Sequence, residues 1–260
     1  FIAALVLKSA EHGAFSLDAS AASVLNGPRL PQAVTVRHLL AHTSGLGDYG
    51  GLKEYHEGVR LRPATPWSAA EYLARALAQP LLFEPGRGWA YSNPGYLLLK
   101  AMLEKVHDRP LRQIVADEIC HPLGLARTRV VEEPADLARL VPGFSQLISA
   151  TGVTADVRGL YHPGWVSHGV LASTAGDLAR FALALFEGEI VDASALAQMT
   201  TLTPVPGSHA PWRTPGYGLG LMGDSGFPGG PVYGHSGGGP GYSASFFVRV
   251  QGGEARFAAG

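Results

Sequence analysis

Val232-Tyr233-Gly234-His235-Ser236-Gly237-Gly238-Gly239-Pro240-Gly241-Tyr242-Ser243-Ala244-Ser245-Phe246-Phe247-Val248-Arg249-Val250 reads as strand, turn and strand. β-branched and aromatic residues occupy both arms, and Gly239-Pro240-Gly241 interrupts any ladder and reverses the chain. The pattern predicts strands over Val232–His235 and Tyr242–Val250, with an earlier one over Tyr217–Met222. Beyond Val250, Gln251-Gly252-Gly253-Glu254 reads as a hairpin turn and Ala255-Arg256-Phe257 as the start of a further strand. Strands that follow one another through short turns form an antiparallel sheet.

Upstream the period changes to that of helices. Thr35 can cap a short helix through Leu40, and Ser68 with Glu71 forms a capping box for a helix to about Ala78. Asn93 with Pro94 opens a helix to about Val106. Another runs from about Thr174, with Asp177 completing its capping box, to Gly188, and one more follows Asp192. A helical centre followed by sequential strands predicts an α+β fold with an antiparallel sheet. Both ends read as cut: Phe1-Ile2-Ala3-Ala4-Leu5-Val6-Leu7 is apolar and helical from its first residue with no cap before it, and the strand at Ala255 has barely begun when the sequence stops.

With 260 residues the chain can bury a large core without staples. Lys plus Arg (20) nearly balances Asp plus Glu (21), and no basic block or aromatic-basic stripe is present, so nothing marks the chain for nucleic acid. The single Cys120 lies in an apolar-periodic stretch and reads as core. No apolar run approaches the roughly 20 residues of a transmembrane helix. The opening residues carry no charged front or small-residue cleavage site, which leaves the compartment open.

Three patterns carry possible chemistry. Gly234-His235-Ser236-Gly237-Gly238 fits a Gly-x-Ser-x-Gly nucleophile elbow, but no His and no Asp follows Ser236, and a turn and strand stand where the elbow needs a helix. The elbow reading is therefore rejected. His38 and His42 stand at i, i+4 as a helical zinc site requires, but Leu39 replaces the glutamate and no third ligand is evident. They read instead as a helix terminus, with His42 bonded to backbone near Gly45. Tyr91 and Asn93, two residues apart at a helix start, can both project into a cleft, though each alone is explained as a core tyrosine and a helix cap. The glycines around His235 let backbone approach a ligand closely, with an N–H left to meet a developing oxyanion.

Taken together, these residues resemble the serine β-lactamase and D,D-peptidase superfamily, in the branch of AmpC-like β-lactamase-related serine hydrolases and esterases. The resemblance rests on Phe15-Ser16-Leu17-Asp18, Val34 to Leu46, Phe83-Glu84-Pro85-Gly86, Tyr91-Ser92-Asn93-Pro94-Gly95-Tyr96, Ser173 to Leu178 and Tyr217-Gly218-Leu219-Gly220, in the family's order. It implies an antiparallel sheet flanked by helices, with a helical region inserted: residues 1–30 and 160–260 for the sheet region, 31–159 for the helical one. It also implies catalysis through an acyl-enzyme on an ester, peptide or β-lactam bond, without a cofactor or metal, on a small-molecule or peptide acyl substrate. The setting it implies is periplasmic or secreted.

The family's nucleophile is the serine of a Ser-x-x-Lys pair. Three residues before Lys8, Lys53, Lys100 and Lys105 stand Leu5, Gly50, Leu97 and Met102, so no such pair is in the chain. The resemblance puts it just upstream of Phe1, lost by truncation, which leaves the chain itself inactive. Carried over by position, Tyr91 shares proton transfer with the lysine, which lowers its phenol pKa, and Asn93 holds the acyl side of the substrate. His235 replaces the lysine of a Lys-Thr-Gly strand motif and bonds a substrate group or Tyr91. Ser236, Gly237 and Gly238 line the substrate, with the Gly238 N–H in the oxyanion hole. Histidine is a weaker anion anchor than lysine, which favours an esterase or peptidase over a β-lactamase. The alternative is a non-catalytic binding or scaffold relative of the same fold.

Overall fold

The computed structural model describes residues 1–25, 30–207, 212–251 and 254–259. Among them the helices are α1 (Ile2–Glu11), α2 (Ala21–Leu25), α3 (Val36–Leu40), α4 (Lys53–Leu61), α5 (Ala69–Leu77), α6 (Asn93–His107), α7 (Leu111–Val115), α8 (His121–Leu123), α9 (Pro134–Leu137), α10 (Ala175–Phe186) and α11 (Ala193–Thr200). Strands β1 (Arg129–Val131) and β4 (Val170–Ala172) pair with each other, as do β2 (Phe144–Ser145) and β3 (Ala155–Asp156). The main sheet is an antiparallel meander of β5 (Thr203–Pro204), β6 (Pro215–Tyr217), β7 (Met222–Asp224), β8 (Val232–Gly239), β9 (Tyr242–Gln251) and β10 (Glu254–Ala259), in that order. This is the α+β architecture expected. The two glycines central to the expected turn before Glu254 lie outside the described residues.

Local chemistry sets most helix starts. Thr35 accepts from the His38 N–H while the His38 ring accepts from the Thr35 N–H, a capping box with histidine as its second member. Ser68 and Glu71 form the reciprocal box that opens α5. At α6 the expectation needs correction: Ser92 is the cap, its hydroxyl accepting from Gly95 N–H, and Asn93 is already helical. At α10 Thr174 caps alone, and Asp177 instead accepts from Arg127 N–H and Thr128 Oγ1, tying the helix to the segment before β1.

Two strand boundaries also differ from expectation. Tyr217–Met222 is not one strand: β6 ends at Tyr217 and β7 starts at Met222, with a tight reversal between. Gly218 N–H donates to Leu221 O at 2.8 Å, and Gly220 has φ +81°. A Cβ at Gly218 would run into the Met199 carbonyl, and one at Gly220 into Ala3. Conversely, β8 continues past His235 to Gly239, because the glycine run pairs with β9 down to Gly239↔Tyr242 and only Pro240 and Gly241 make the turn.

The sheet and helices share one core. Leu5, Leu7, Leu39, Leu99, Met102, Leu103, Phe181 and Leu185 are buried in a single cluster that includes Cys120. Phe1 stacks on Phe181 at 3.9 Å, and Phe181 meets the β9 residue Phe246 edge-on, so the N-terminal end of α1 is seated against α10 and the sheet. A second cluster around Tyr49, Tyr72, Trp67 and Trp165 stiffens the segments that border the groove described next. Among the described residues no helix is long and apolar enough to cross a membrane.

Candidate active site

Between the start of α6, the segment before β4 and the glycine-rich half of β8 lies a groove of about 590 Å³. Tyr91, Asn93, His235, Ser236, Gly237 and Gly238 all line it. Residues separated by more than 140 positions are thus gathered on one concave surface, as ligand sites commonly are. β7 pairs with β8 only from Val232 to Gly234, so from His235 to Gly239 no strand of the described residues covers the β8 edge opposite β9. That edge forms part of the groove wall.

His42 holds the Tyr91 segment in place. It is 1% exposed, adopts φ +57° and so has left the helix of His38, which removes the shared face a zinc pair needs. Its carbonyl accepts from Ala90 N–H, and its Nδ1 accepts from Ser92 N–H at 3.2 Å. The expected contact near Gly45 is therefore replaced by two contacts to the segment around Tyr91. The imidazole lies 4.2 Å from the Tyr91 ring and 4.7 Å from that of Tyr217. Burial, reinforced by His235 and His168, holds it neutral with a pKa of about 3.

His235 Nδ1 is 2.7 Å from the Ser236 carbonyl, which can only accept, so Nδ1 carries the proton. Nε2 then accepts from the Tyr217 hydroxyl at 3.0 Å. The tyrosine bonded to His235 is thus Tyr217; Tyr91 is a ring neighbour at 6.3 Å. Burial lowers the His235 pKa, which favours the neutral ring. Tyr91 stands at the rim, 36% exposed, and its phenol is pushed up to about 12 by partial burial, then by Asp48 and Tyr49. The lowering expected of Tyr91 depends on the lysine of Ser-x-x-Lys, and no cation of the described residues takes that lysine's place beside the phenol.

Asn93 is not free. Its amide nitrogen donates to Asp48 Oδ1 at 3.0 Å and Oδ2 at 3.2 Å, and its backbone N–H donates to Oδ1 at 3.0 Å. Sequence reasoning missed Asp48, Tyr217 and His168. Tyr217 lay within the quoted Tyr-Gly-Leu-Gly motif, whereas nothing in the local pattern around Asp48 or His168 singles them out. His168 lines the groove with a pKa lowered by burial to about 4.

A smaller cavity of about 200 Å³ adjoins the groove, and Phe1, Ile2, Ala3, Tyr91, Tyr217 and His235 all border it. Ser236 lies on β8 opposite Ser245 and is followed by turn and strand, so no elbow exists. A separate depression beside Arg37 and Asp192 contains none of these residues, and its arginine is paired with Asp18.

This fold and groove have clear counterparts. The beta-lactamase family model matches residues 1–255, and the chain belongs to that hydrolase family. It is 30% identical over 234 residues to penicillin-binding protein 4* of Bacillus subtilis (strain 168), covering 82% of this chain and 48% of that protein. It is 35% identical over 138 residues to esterase EstB of Burkholderia gladioli, 48% of this chain and 34% of the esterase. The chain thus spans about half or less of the length of these curated relatives. A D-stereospecific amidohydrolase from Streptomyces sp. superposes with a TM-score of 0.86 at 30% identity, over 99% of this chain and 78% of that one.

Proposed function

We propose that the protein is a serine hydrolase that works through an acyl-enzyme, with its nucleophile on a Ser-x-x-Lys pair in the segment leading into α1. The observation that carries this reading is the shared cavity: the first residues of α1, Tyr91 and His235 border one space. A serine one to two turns before Phe1 on a continued helix would reach it, since a helix rises about 1.5 Å per residue. Tyr91 then faces the lysine, whose ammonium opposes the upward push on the phenol and lets it share proton transfer. The β8 edge that no described strand covers offers the Gly238 N–H to the developing oxyanion, a contribution of about 3 kcal/mol per donor in comparable sites.

The histidine at 235 supports an ester or amide substrate without a carboxylate beside the scissile bond. It is held neutral, and among the described residues no lysine or arginine lines the groove. The names of the esterase and amidohydrolase relatives point the same way.

The protein carrying its upstream segment, incubated with a p-nitrophenyl ester, should release a burst of nitrophenol and trap an acyl group on the serine of Ser-x-x-Lys. Upstream codons without that pair, or reversible binding with no adduct, would replace the enzyme by a binding module. The 260-residue chain alone is expected to be inactive. Hydrolysis by it that disappears in Ser236→Ala would overturn the assignment of the nucleophile.

A further inference from the structure

Of the ten large apolar or aromatic side chains that the described residues expose, five lie between Val141 and Leu160. These five, Val141, Phe144, Leu147, Val153 and Leu160, are between 46% and 75% exposed. Exposed apolar residues scattered singly need no explanation, but a cluster of them marks a contact surface. From Val141 to Ala155 the sequence holds no charged residue, and the one acid that follows, Asp156, is paired with Arg158 at 2.7 Å. The β2–β3 hairpin is nonetheless firmly held. Ile148 is buried in the cluster of Tyr49 and Trp165, Val157 N–H donates to Gly143 O at 2.8 Å, and the Tyr242 hydroxyl donates to Val141 O at 2.7 Å.

Two observations say what covers this face. Arg60 Nη1 donates to Ala150 O at 3.4 Å, which sets the end of α4, with exposed Leu61 between exposed Arg60 and Arg62, beside the hairpin. Neither arginine is in an ion pair among the described residues. The partner is therefore apolar at its centre and anionic at its edge. Five such side chains expose a few hundred Å², short of the roughly 800 Å² that each partner of a stable protein interface buries. A lipid surface asks for no such minimum, since its hold grows with the apolar area inserted and the charge attracted.

We propose that the β2–β3 hairpin and the end of α4 dock the protein on an anionic lipid surface, with Phe144 and Leu147 entering the headgroup boundary and Arg60 and Arg62 meeting lipid phosphates. Tyr242 both holds the hairpin and lines the groove, so docking sets the groove mouth beside the headgroups. The proposal is independent of the acyl-enzyme reading.

The test is sedimentation of the 260-residue chain, and of the protein with its flanking segments, with vesicles of phosphatidylcholine alone or with about one third phosphatidylglycerol. Binding to the anionic vesicles should exceed that to phosphatidylcholine at least fivefold. Phe144→Ser with Leu147→Ser should lower it tenfold or more at unchanged thermal midpoint, because both side chains are exposed. Should that variant lose its thermal transition, Val153→Ser decides in its place. Arg60→Gln should lower binding about fivefold, and Leu82→Ser, exposed elsewhere in the chain, should leave it unchanged. Vesicle binding that is absent, that survives the serine variants, or that falls equally with Leu82→Ser overturns the inference. So does a concentration-dependent dimer that the serine variants dissolve, which would give the face to a second copy. Binding by the 260-residue chain that is lost when the flanking segments are present overturns it as well.

Discussion

Ser92 and Asn93 divide a task that either side chain is chemically able to perform. Both types cap helices well, and sequence alone assigns the cap to the residue before proline. Packing decides otherwise: Ser92 is fully buried with its N–H on His42, and its hydroxyl faces Gly95 N–H. Ser92→Ala should cost about 1 kcal/mol, read as a lowered urea midpoint at unchanged slope. Tyr91 differs, since its hydroxyl has no partner among the described residues. Tyr91→Phe in the protein with its upstream segment is expected to leave the melting temperature unchanged and lower kcat for a p-nitrophenyl ester about 100-fold or more. An unchanged kcat would remove Tyr91 from proton transfer.

At the scale of elements, the reversal from β6 to β7 couples the sheet to α1. Gly220 N–H donates to Leu40 O at 3.2 Å and Leu219 N–H to Met199 O at 3.1 Å, so the turn is bound to α3 and α11 while its missing Cβ makes room for Ala3. Gly220→Ala combines a left-handed φ with a clash against α1 and should cost about 2 kcal/mol or more. It should also displace the first turn of α1, and with it the wall shared with His235. Alternating small and apolar residues over Tyr217–Met222 look identical to a strand, because the contacts that force the reversal come from residues nearly 20 and more than 200 positions away. The glycine-rich half of β8 was hidden for the opposite reason: glycine has low strand preference, and its pairing is imposed by β9.

Across the whole molecule, burial of histidines couples stability to pH. An unfolded histidine titrates near 6.5, whereas folding lowers His168 to about 4 and His42 to about 3. Above pH 6.5 both states hold these rings neutral and neither costs stability. As pH falls below 6.5 the unfolded chain takes up protons that the folded chain refuses, down to about 4 for His168 and about 3 for His42. Stability should therefore drop with acidification by about 1.4 kcal/mol per pH unit for each ring within its window. Denaturation at pH 7 and pH 5 measures this, and His42→Asn, which tolerates the left-handed φ and keeps an acceptor for Ser92 N–H, should flatten the slope. An identical slope in that variant would show that His42 does not carry the effect.

Sequence by itself determined the α+β class, the capped helix starts at Thr35, Ser68 and Asp192, the turn at Pro240-Gly241 and the family to which the chain belongs. These are written in neighbouring residues, whose hydrogen-bonding and dihedral preferences act within a few positions. Tertiary structure decided that Ser92 caps α6, that Tyr217 holds His235, that Asp48 orients Asn93 and that His42 clamps the Tyr91 segment. Each of these joins residues distant along the chain, and their hydrogen bonds exist only once the shared core has brought α1, α3, α6 and the sheet together.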